Sequence, residues 1–347
     1  MAKTSEHPAN TQKLVIEHKI GRSRNWLFWL VTLALLGSLG YNAYLYSQNR
    51  NYFGDTSPPA ERFHSGEADS TDRIALLRIS GTISPPFTGR LLKQIKKARQ
   101  DDSVKGAILV VDSPGGLVAD SHQIYHELQK LSAEKPVYVS MKRIAASGGY
   151  YIAMGAGPKA RLFCEPTTWT GSIGVIIPRY NVAKLAKEYG VGFDPIKTGE
   201  FKDTLSPFRD LTDSERELWA TIIGDAFERF LTVIDENRPN LTREKLETLA
   251  TGQVFTANQS LENGLVDQIG FLEEVVDALK DELGLKEARV VTYYSPPSLL
   301  EQVTGFSSAN VQTPDPMQIA IDASVPKAMY LCSWGSAVPL RGKDADE

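Results

Sequence analysis

Residues 26–46, WLFWLVTLALLGSLGYNAYLY, contain no charged side chain. No other stretch limits so strongly what the chain can become. A helix rises about 1.5 Å per residue, so about 20 apolar residues cross a hydrocarbon layer of about 30 Å. Trp26 and Trp29 stand at one end and Tyr41, Tyr44 and Tyr46 at the other, the pattern of an interfacial aromatic belt. Lys13, Lys19, Arg22 and Arg24 precede the stretch, and Arg50 is the basic residue that closely follows it. Basic residues stay on the cytoplasmic side. Residues 1–25 are therefore expected as a cytoplasmic tail, 26–46 as a single transmembrane span in lipid, and the remainder across the membrane. The apolar core is long for a cleaved signal peptide and no convincing small-x-small site follows it, which favours an uncleaved signal anchor.

The rest of the chain reads differently. Residues 47–72 are polar and carry Pro, Gly and Ser, so they predict a tether. The net charge of -4 is spread along the sequence and gives no case for nucleic-acid binding. Cys164 and Cys332 are too few and too distant for a disulfide framework, and no Cys/His cluster suggests zinc. Two separate buried thiols and no metal are expected.

From residue 73 apolar strand patterns alternate with helical spacing. RIALLRISGTI, VKGAILVVDS, KPVYVSM, RLFCEP and GSIGVII predict strands. LLKQIKKARQ, ADSHQIYHELQKLSA, ASGGYYIAMGA and NVAKLAKEYG predict helices between or after them. Such alternation implies an α/β fold, a parallel sheet with flanking helices. Its ligands bind at the carboxyl ends of the strands. Residues 212–280 are mainly helical, opening on a loose capping signal at Thr212 and Glu215. EARVVTYY is a further strand candidate, and the last residues, RGKDADE, predict disorder.

Ser147 lies in a small-residue turn after an apolar run, between two alanines and two glycines. A nucleophilic serine needs a base. No histidine follows His126; only His122 and His126, one helical turn apart, could serve a Ser-His pair, and a solvated helix face explains both. A neutral lysine is the other base, and Lys197 and Lys202 in KTGEFKDTLSPFR are both available. Composition does not choose between them. SPGG at 113–116 supplies backbone N–H groups that glycine leaves unobstructed, suited to an oxyanion. Both small-residue turns fall at strand ends of one sheet.

The motifs DSPGG, KPVYVSMKRIAASGGYYIAMGA, TGSIGVI, GEFKDTLSPFR and TGQVFTANQSLENGLVDQIG occur in this order. Together they resemble the signal peptide peptidase A family of membrane-anchored Ser/Lys peptidases. The similarity runs from residue 73 to about 285, as in short members with one catalytic domain. It implies a Clp-protease/crotonase-like fold over 73–285, then an extension over 286–347 with a possible strand and a disordered end. It implies Ser147 as nucleophile and Lys202 as general base, since Lys202 stands at the family's lysine position. Gly115 or Gly116 and the Gly148 N–H become oxyanion donors, and Ser172 orients the lysine. No cofactor is implied. The implied partners are peptide substrates, cleaved signal peptides and other apolar peptides, and a ring of identical subunits in which Ser147 and Lys202 come from neighbours. The implied place is a bacterial inner membrane, with the catalytic domain on the periplasmic or extracytoplasmic side. A substrate held as an extra strand beside Gly115–Leu117 would bind through main-chain hydrogen bonds, leaving selection to apolar pockets. A crotonase-like acyl-CoA enzyme and a non-catalytic member are the rival readings; the anchor argues against the first and the intact Ser and Lys against the second.

Overall fold

The computed structural model describes residues 25–53, 58–294 and 329–332. The expected cytoplasmic tail and disordered end lie outside these residues. The chain divides into two compact units, Met1–Tyr52 and Phe53–Glu347.

The first unit contains all but the last residue of helix α1 (Asn25–Phe53). Its described apolar side chains, among them Leu27, Phe28, Trp29 and Leu33, are exposed. Described side chains cover 26–42 and Leu45. Among the described residues no helix is long and apolar enough to cross a membrane.

The second unit is a sheet with helices on both faces. Its strands are β1 (Ala60–Gly66), β2 (Arg73–Ser80), β3 (Val104–Ser113), β4 (Gly115–Leu117), β5 (Val137–Ala146), β6 (Leu162–Cys164), β7 (Trp169–Gly171), β8 (Val254–Thr256), β9 (Gln268–Ile269), β10 (Arg289–Tyr294) and β11 (Met329–Leu331). Its helices are α2 (Phe87–Gln100), α3 (Val118–Ser132), α4 (Gly148–Ala153), α5 (Ala183–Glu188), α6 (Asp213–Asn237), α7 (Arg243–Leu249), α8 (Ala257–Asn263) and α9 (Leu272–Leu283). The main sheet runs β1-β10-β2-β3-β5-β6-β9, with β7 beside the end of β5 and β8 beyond it. Neighbours from β10 to β9 are parallel; β1 pairs antiparallel with β10, and β8 with β7.

The near-continuous apolar runs of β2, β3 and β5 follow from burial on both faces. Ala75, Leu77 and Ile79 of β2 join a core with α2, α3, α4 and α6, whereas Ile74 and Leu76 face the opposite side with Leu272, Val275 and Leu279 of α9. Each fully buried Leu, Ile or Phe contributes about 1.5–3 kcal/mol. The Thr212–Glu215 capping box is present at the start of α6. An ion pair at 2.7 Å between buried Arg238 and the more exposed Asp267 ties the end of α6 to the loop before β9, and the same guanidinium donates to the Gly264 carbonyl at 2.8 Å.

Two stretches differ from expectation. Residues 60–66, within the stretch read as tether, form edge strand β1 against β10. The strand expected over 171–177 instead spans Trp169–Gly171. Gly171 and Ser172 have φ values of 80° and 50°, and this left-handed pair ends the extended run.

Candidate active site

Strand β5 carries the chain to Ala146, and α4 begins at Gly148. Ser147 is the whole of the turn between them, with φ 53° and ψ -113°. A non-glycine residue held there costs about 1–3 kcal/mol and persists only when its surroundings over-determine it. They do: the Ser147 N–H donates to the Gly171 carbonyl at 2.7 Å, and its carbonyl accepts from Tyr151 N–H at 2.8 Å. Strand β7 pairs with Ile144–Ala146 just before it, and the Thr170 hydroxyl donates to the Ala145 carbonyl. The Ser147 side chain, by contrast, is buried, and among the described residues its Oγ has no hydrogen-bond partner. A buried unsatisfied hydroxyl is costly and marks a group kept for chemistry or for a partner not yet present.

The glycine turn lies beside it. After β3, Pro114 leads into β4, whose Gly115 has φ 102°. A Cβ on Gly115 would sit 2.7 Å from the Gly148 nitrogen, and one on Gly148 would sit 3.1 Å from the Gly116 nitrogen. The three glycine backbones thus converge next to Ser147. The Gly148 N–H, first in its helix, has no intrahelical acceptor. The segment before α2 locks β4 from one side: Ile83 N–H donates to the Gly115 carbonyl, and Leu117 N–H to the Ile83 carbonyl, both at 2.9 Å.

The other side of β4 carries β11. Tyr330 pairs with Gly116 in antiparallel register, Cys332 N–H donates to the Pro114 carbonyl, and Met329 bridges to Ile176. The Tyr330 ring is fully buried between Tyr151, with centroids 4.8 Å apart, and Phe230, at 4.7 Å. The edge of Gly115–Leu117 therefore accepts an extended strand, and an aromatic pocket beneath it accepts a side chain. Sequence reasoning expected an added strand at this edge with apolar pockets for its side chains, but not that residues 329–331 of the same chain occupy it.

The histidine alternative does not hold within the chain. His122 Nδ1 is 2.7 Å from the Tyr151 hydroxyl, the ring stacks on Tyr125, and burial lowers its pKa. Neither His122 nor His126 hydrogen-bonds Ser147 Oγ.

The lysine segment is a short turn, Glu200–Asp203, between α5 and α6. Lys197 donates to the Asp203 carboxylate at 2.6 Å and to the Glu200 carbonyl at 3.1 Å. Lys202 is exposed, and among the described residues its ammonium has no hydrogen bond or ion pair. Arg209 grips Asp203 on one side and Glu215, buried at the start of α6, on the other. These bonds hold the Asp203 carboxyl well below the usual carboxylate range, Arg209 first and Lys197 second. An open cavity of about 730 Å³ beside this turn is lined by Lys197, Glu200, Asp203, Arg209 and Glu215. Tyr180, Leu185, Tyr189, Val191, Ile196 and Phe201 leave apolar surface exposed on the same segment. Spacing in the sequence gives no usable signal for the Arg209 clamp.

Ser172 adjoins Gly171, which holds the Ser147 N–H, and its own N–H donates to the Gln253 carbonyl at 2.7 Å. Cys164 and Cys332 are free and buried, and burial pushes the Cys164 thiol up to about 11. Among the described residues no group of three His, Cys, Asp or Glu side chains is placed to hold a metal ion.

Comparison with known proteins fits this arrangement. The sequence model of peptidase family S49 matches residues 129–286, and that of Clp protease matches 69–170. A putative signal peptide peptidase SppA of Enterococcus faecium is 34% identical over 77% of this chain and 78% of its own length. The chain belongs to peptidase family S49. A putative protease of Synechocystis is 36% identical over 68% of this chain and 84% of its own length. Protease 4 of Haemophilus influenzae is 32% identical over 65% of this chain and 37% of that protein. This S49 chain is a serine peptidase with a Clp-protease-like α/β fold, and its substrates are peptides.

Proposed function

We propose that this S49 peptidase is a membrane-anchored endopeptidase that uses Ser147 and Lys202 as a dyad, joined across neighbouring subunits of a ring. Its substrates are cleaved signal peptides and other apolar peptides. One observation carries the reading. Ser147 Oγ is buried and set on a strained turn beside converging glycine amides, and among the described residues no side chain hydrogen-bonds it. Of the two lysines, Lys197 is held by Asp203, whereas Lys202 is unpaired among the described residues. A lysine base must be sheltered from water to lose its proton. Lys202 is exposed in a single chain, and the apolar surface on its segment is what a neighbouring subunit would cover.

In the cycle, neutral Lys202 takes the Ser147 proton as Oγ attacks the peptide carbonyl. The N–H groups of Gly148 and of Gly115 or Gly116 hold the oxyanion, and Ser172 orients the lysine. Lys202 then gives the proton to the leaving amine. It next draws a proton from water, which attacks the acyl-Ser147 ester; the ester C–O bond breaks, the new carboxyl end leaves, and the lysine returns the proton to Ser147 Oγ. The substrate lies as a strand along Gly115–Leu117, an edge that residues 329–332 must first leave.

The anchor is α1. Residues 26–46 carry no charge, and an exposed helix of Leu, Phe and Trp is unfavourable in water. The basic residues before it support a cytoplasmic N-terminus, with the peptidase unit on the extracytoplasmic side of a bacterial inner membrane. Ser147→Ala and Lys202→Ala should each abolish cleavage of an apolar peptide while the oligomer, sized by light scattering, stays intact. Near-normal turnover by either variant overturns the dyad.

A further inference from the structure

Lys202 sits between two carboxylates on its own turn, Glu200 and Asp203, yet pairs with neither. For a lysine that must work unprotonated this matters. A carboxylate within about 4–6 Å stabilises the ammonium and raises its pKa by about 1–3. Both carboxylates are occupied elsewhere. Asp203 accepts from Arg209 Nε at 3.0 Å, from Arg209 Nη2 at 2.8 Å and from Lys197 Nζ at 2.6 Å. Glu200 accepts from the Ser214 hydroxyl at 2.8 Å. The charged groups around the turn are thus Glu200 and Asp203 on it, Lys197 before it, Arg209 and Asp210 after it, Glu215 at the start of α6, Arg179, which donates to the Ser206 and Arg209 carbonyls, and Lys187 and Asp194 across the cavity. Asp210 accepts from Asn181, and Glu215 from Arg209 and the Thr212 N–H.

Arg209 is the centre of this arrangement. Its planar fork spans Asp203 and Glu215 at once, which an ammonium cannot do with the same geometry. Glu215 is itself fixed by the capping box of α6 and is 1% exposed, so the clamp is anchored to the fold. Trp219 of the same helix donates to Thr204 at 2.8 Å and holds the residue after Asp203.

We infer that Arg209 is a positioning residue for the base: with Lys197 it draws the Asp203 carboxylate away from Lys202, so that no ion pair traps the lysine as ammonium. The inference rests on the Lys202 reading above and adds a defined electrostatic task to residues outside the dyad.

The test is the pH dependence of kcat/KM on an apolar peptide, measured on the full-length oligomer in detergent. For a lysine base kcat/KM rises with pH, and the midpoint reports the free enzyme's base. Arg209→Ala leaves Asp203 held by Lys197 alone, so the carboxylate can turn toward Lys202. The midpoint should move up by about one unit, with about a tenfold loss on the acid side and a near-normal plateau at high pH. Adding Asp203→Asn in the Arg209→Ala background should bring the midpoint back. A purely structural Arg209 would lower the whole curve without moving its midpoint, and removal of the carboxylate would restore nothing. Should Arg209→Ala fail to assemble, Arg209→Lys keeps the charge but loses the fork, and a smaller upward shift is expected. An unmoved midpoint, or a shift that Asp203→Asn does not reverse, overturns the inference. An active Lys202→Ala overturns the dyad itself; an inactive Lys202→Ala with an unmoved midpoint overturns only the role of Arg209.

Discussion

The Ser147 turn and the Lys202 turn are built in opposite ways. Ser147 sits at the end of a central parallel strand, with backbone groups fixed on both sides and a strained φ of 53°. Lys202 sits on a short turn between helices, exposed and amid exposed apolar side chains. One turn is completed by its own chain; the other is ordered by a local ion-pair clamp but left open to the outside. Under the proposed dyad, the difference teaches where each half of a divided site can be made. A strained nucleophile needs a surrounding structure that over-determines it, which only a sheet core supplies. A base that acts on a neighbour needs the reverse, a protruding segment whose shelter arrives with assembly.

The contrast can be broken most severely on the serine side. Gly148→Ala would place a Cβ 2.8 Å from Ser121 Oγ and 3.1 Å from the Gly116 nitrogen. Displacing one oxyanion donor costs about 10²–10³ in kcat. Steady-state turnover of an apolar peptide should show that loss with the oligomer intact; a change below threefold would remove Gly148 from the site.

Two Arg–carboxylate groups test the difference in burial. Asp267→Ala leaves Arg238, 7% exposed, with the Gly264 carbonyl but without its half-exposed charge partner, and should cost about 1–2 kcal/mol in chemical denaturation. Lys197→Ala removes an exposed partner of Asp203 and should cost within about 1 kcal/mol. Equal costs would deny that the two halves differ in kind.

Backbone strain gives a smaller signal. Ser147→Gly should be inactive yet more stable than Ser147→Ala by about 1 kcal/mol, because glycine accepts the positive φ. Lys202→Ala, on an exposed position, should change the stability of the separated chain by no more than about 0.5 kcal/mol. A Ser147→Gly variant no more stable than Ser147→Ala would show that the turn holds no strain.

Acid pH gives the mildest test, confined to the lysine side. The hydrogen bonds from Arg209 lower the Glu215 carboxyl from its ordinary 4.5 to about 2. Its folded-state value is depressed, so its contribution is complete above the ordinary carboxylate range and is lost as pH falls through the folded value. The stability difference between wild type and Glu215→Gln should be full above about pH 4.5 and fade toward pH 2. A difference that persists unchanged at pH 2 would contradict the clamp.

Much of the serine half was legible in the sequence. Continuous apolar runs gave β2, β3 and β5 because burial on both faces demands them, and the small residues at 145–149 and 115–116 marked the turns where backbones touch. The parts that escaped depend on distant partners. Strand β1 is polar and half-exposed, and only its ladder to β10 makes it a strand. Strand β7 is three residues long, fixed by β5 and β8 and not by a pattern of its own. The seat of Tyr330 against Tyr151 and Phe230 joins residues far apart in the chain, and no local period encodes it. The Arg209 clamp escaped for another reason: charged residues near a helix start are ordinary, and only side-chain geometry separates a clamp from a solvated face.

The central claim is that the two turns form one site across subunits. Ser147→Ala and Lys202→Ala chains, each inactive alone, should be co-assembled and the mixed oligomers isolated by two affinity tags. The account predicts recovered cleavage of an apolar peptide, since some interfaces then bring an intact Ser147 to an intact Lys202. Mixed oligomers of normal size without any activity would contradict it and place the base for Ser147 elsewhere.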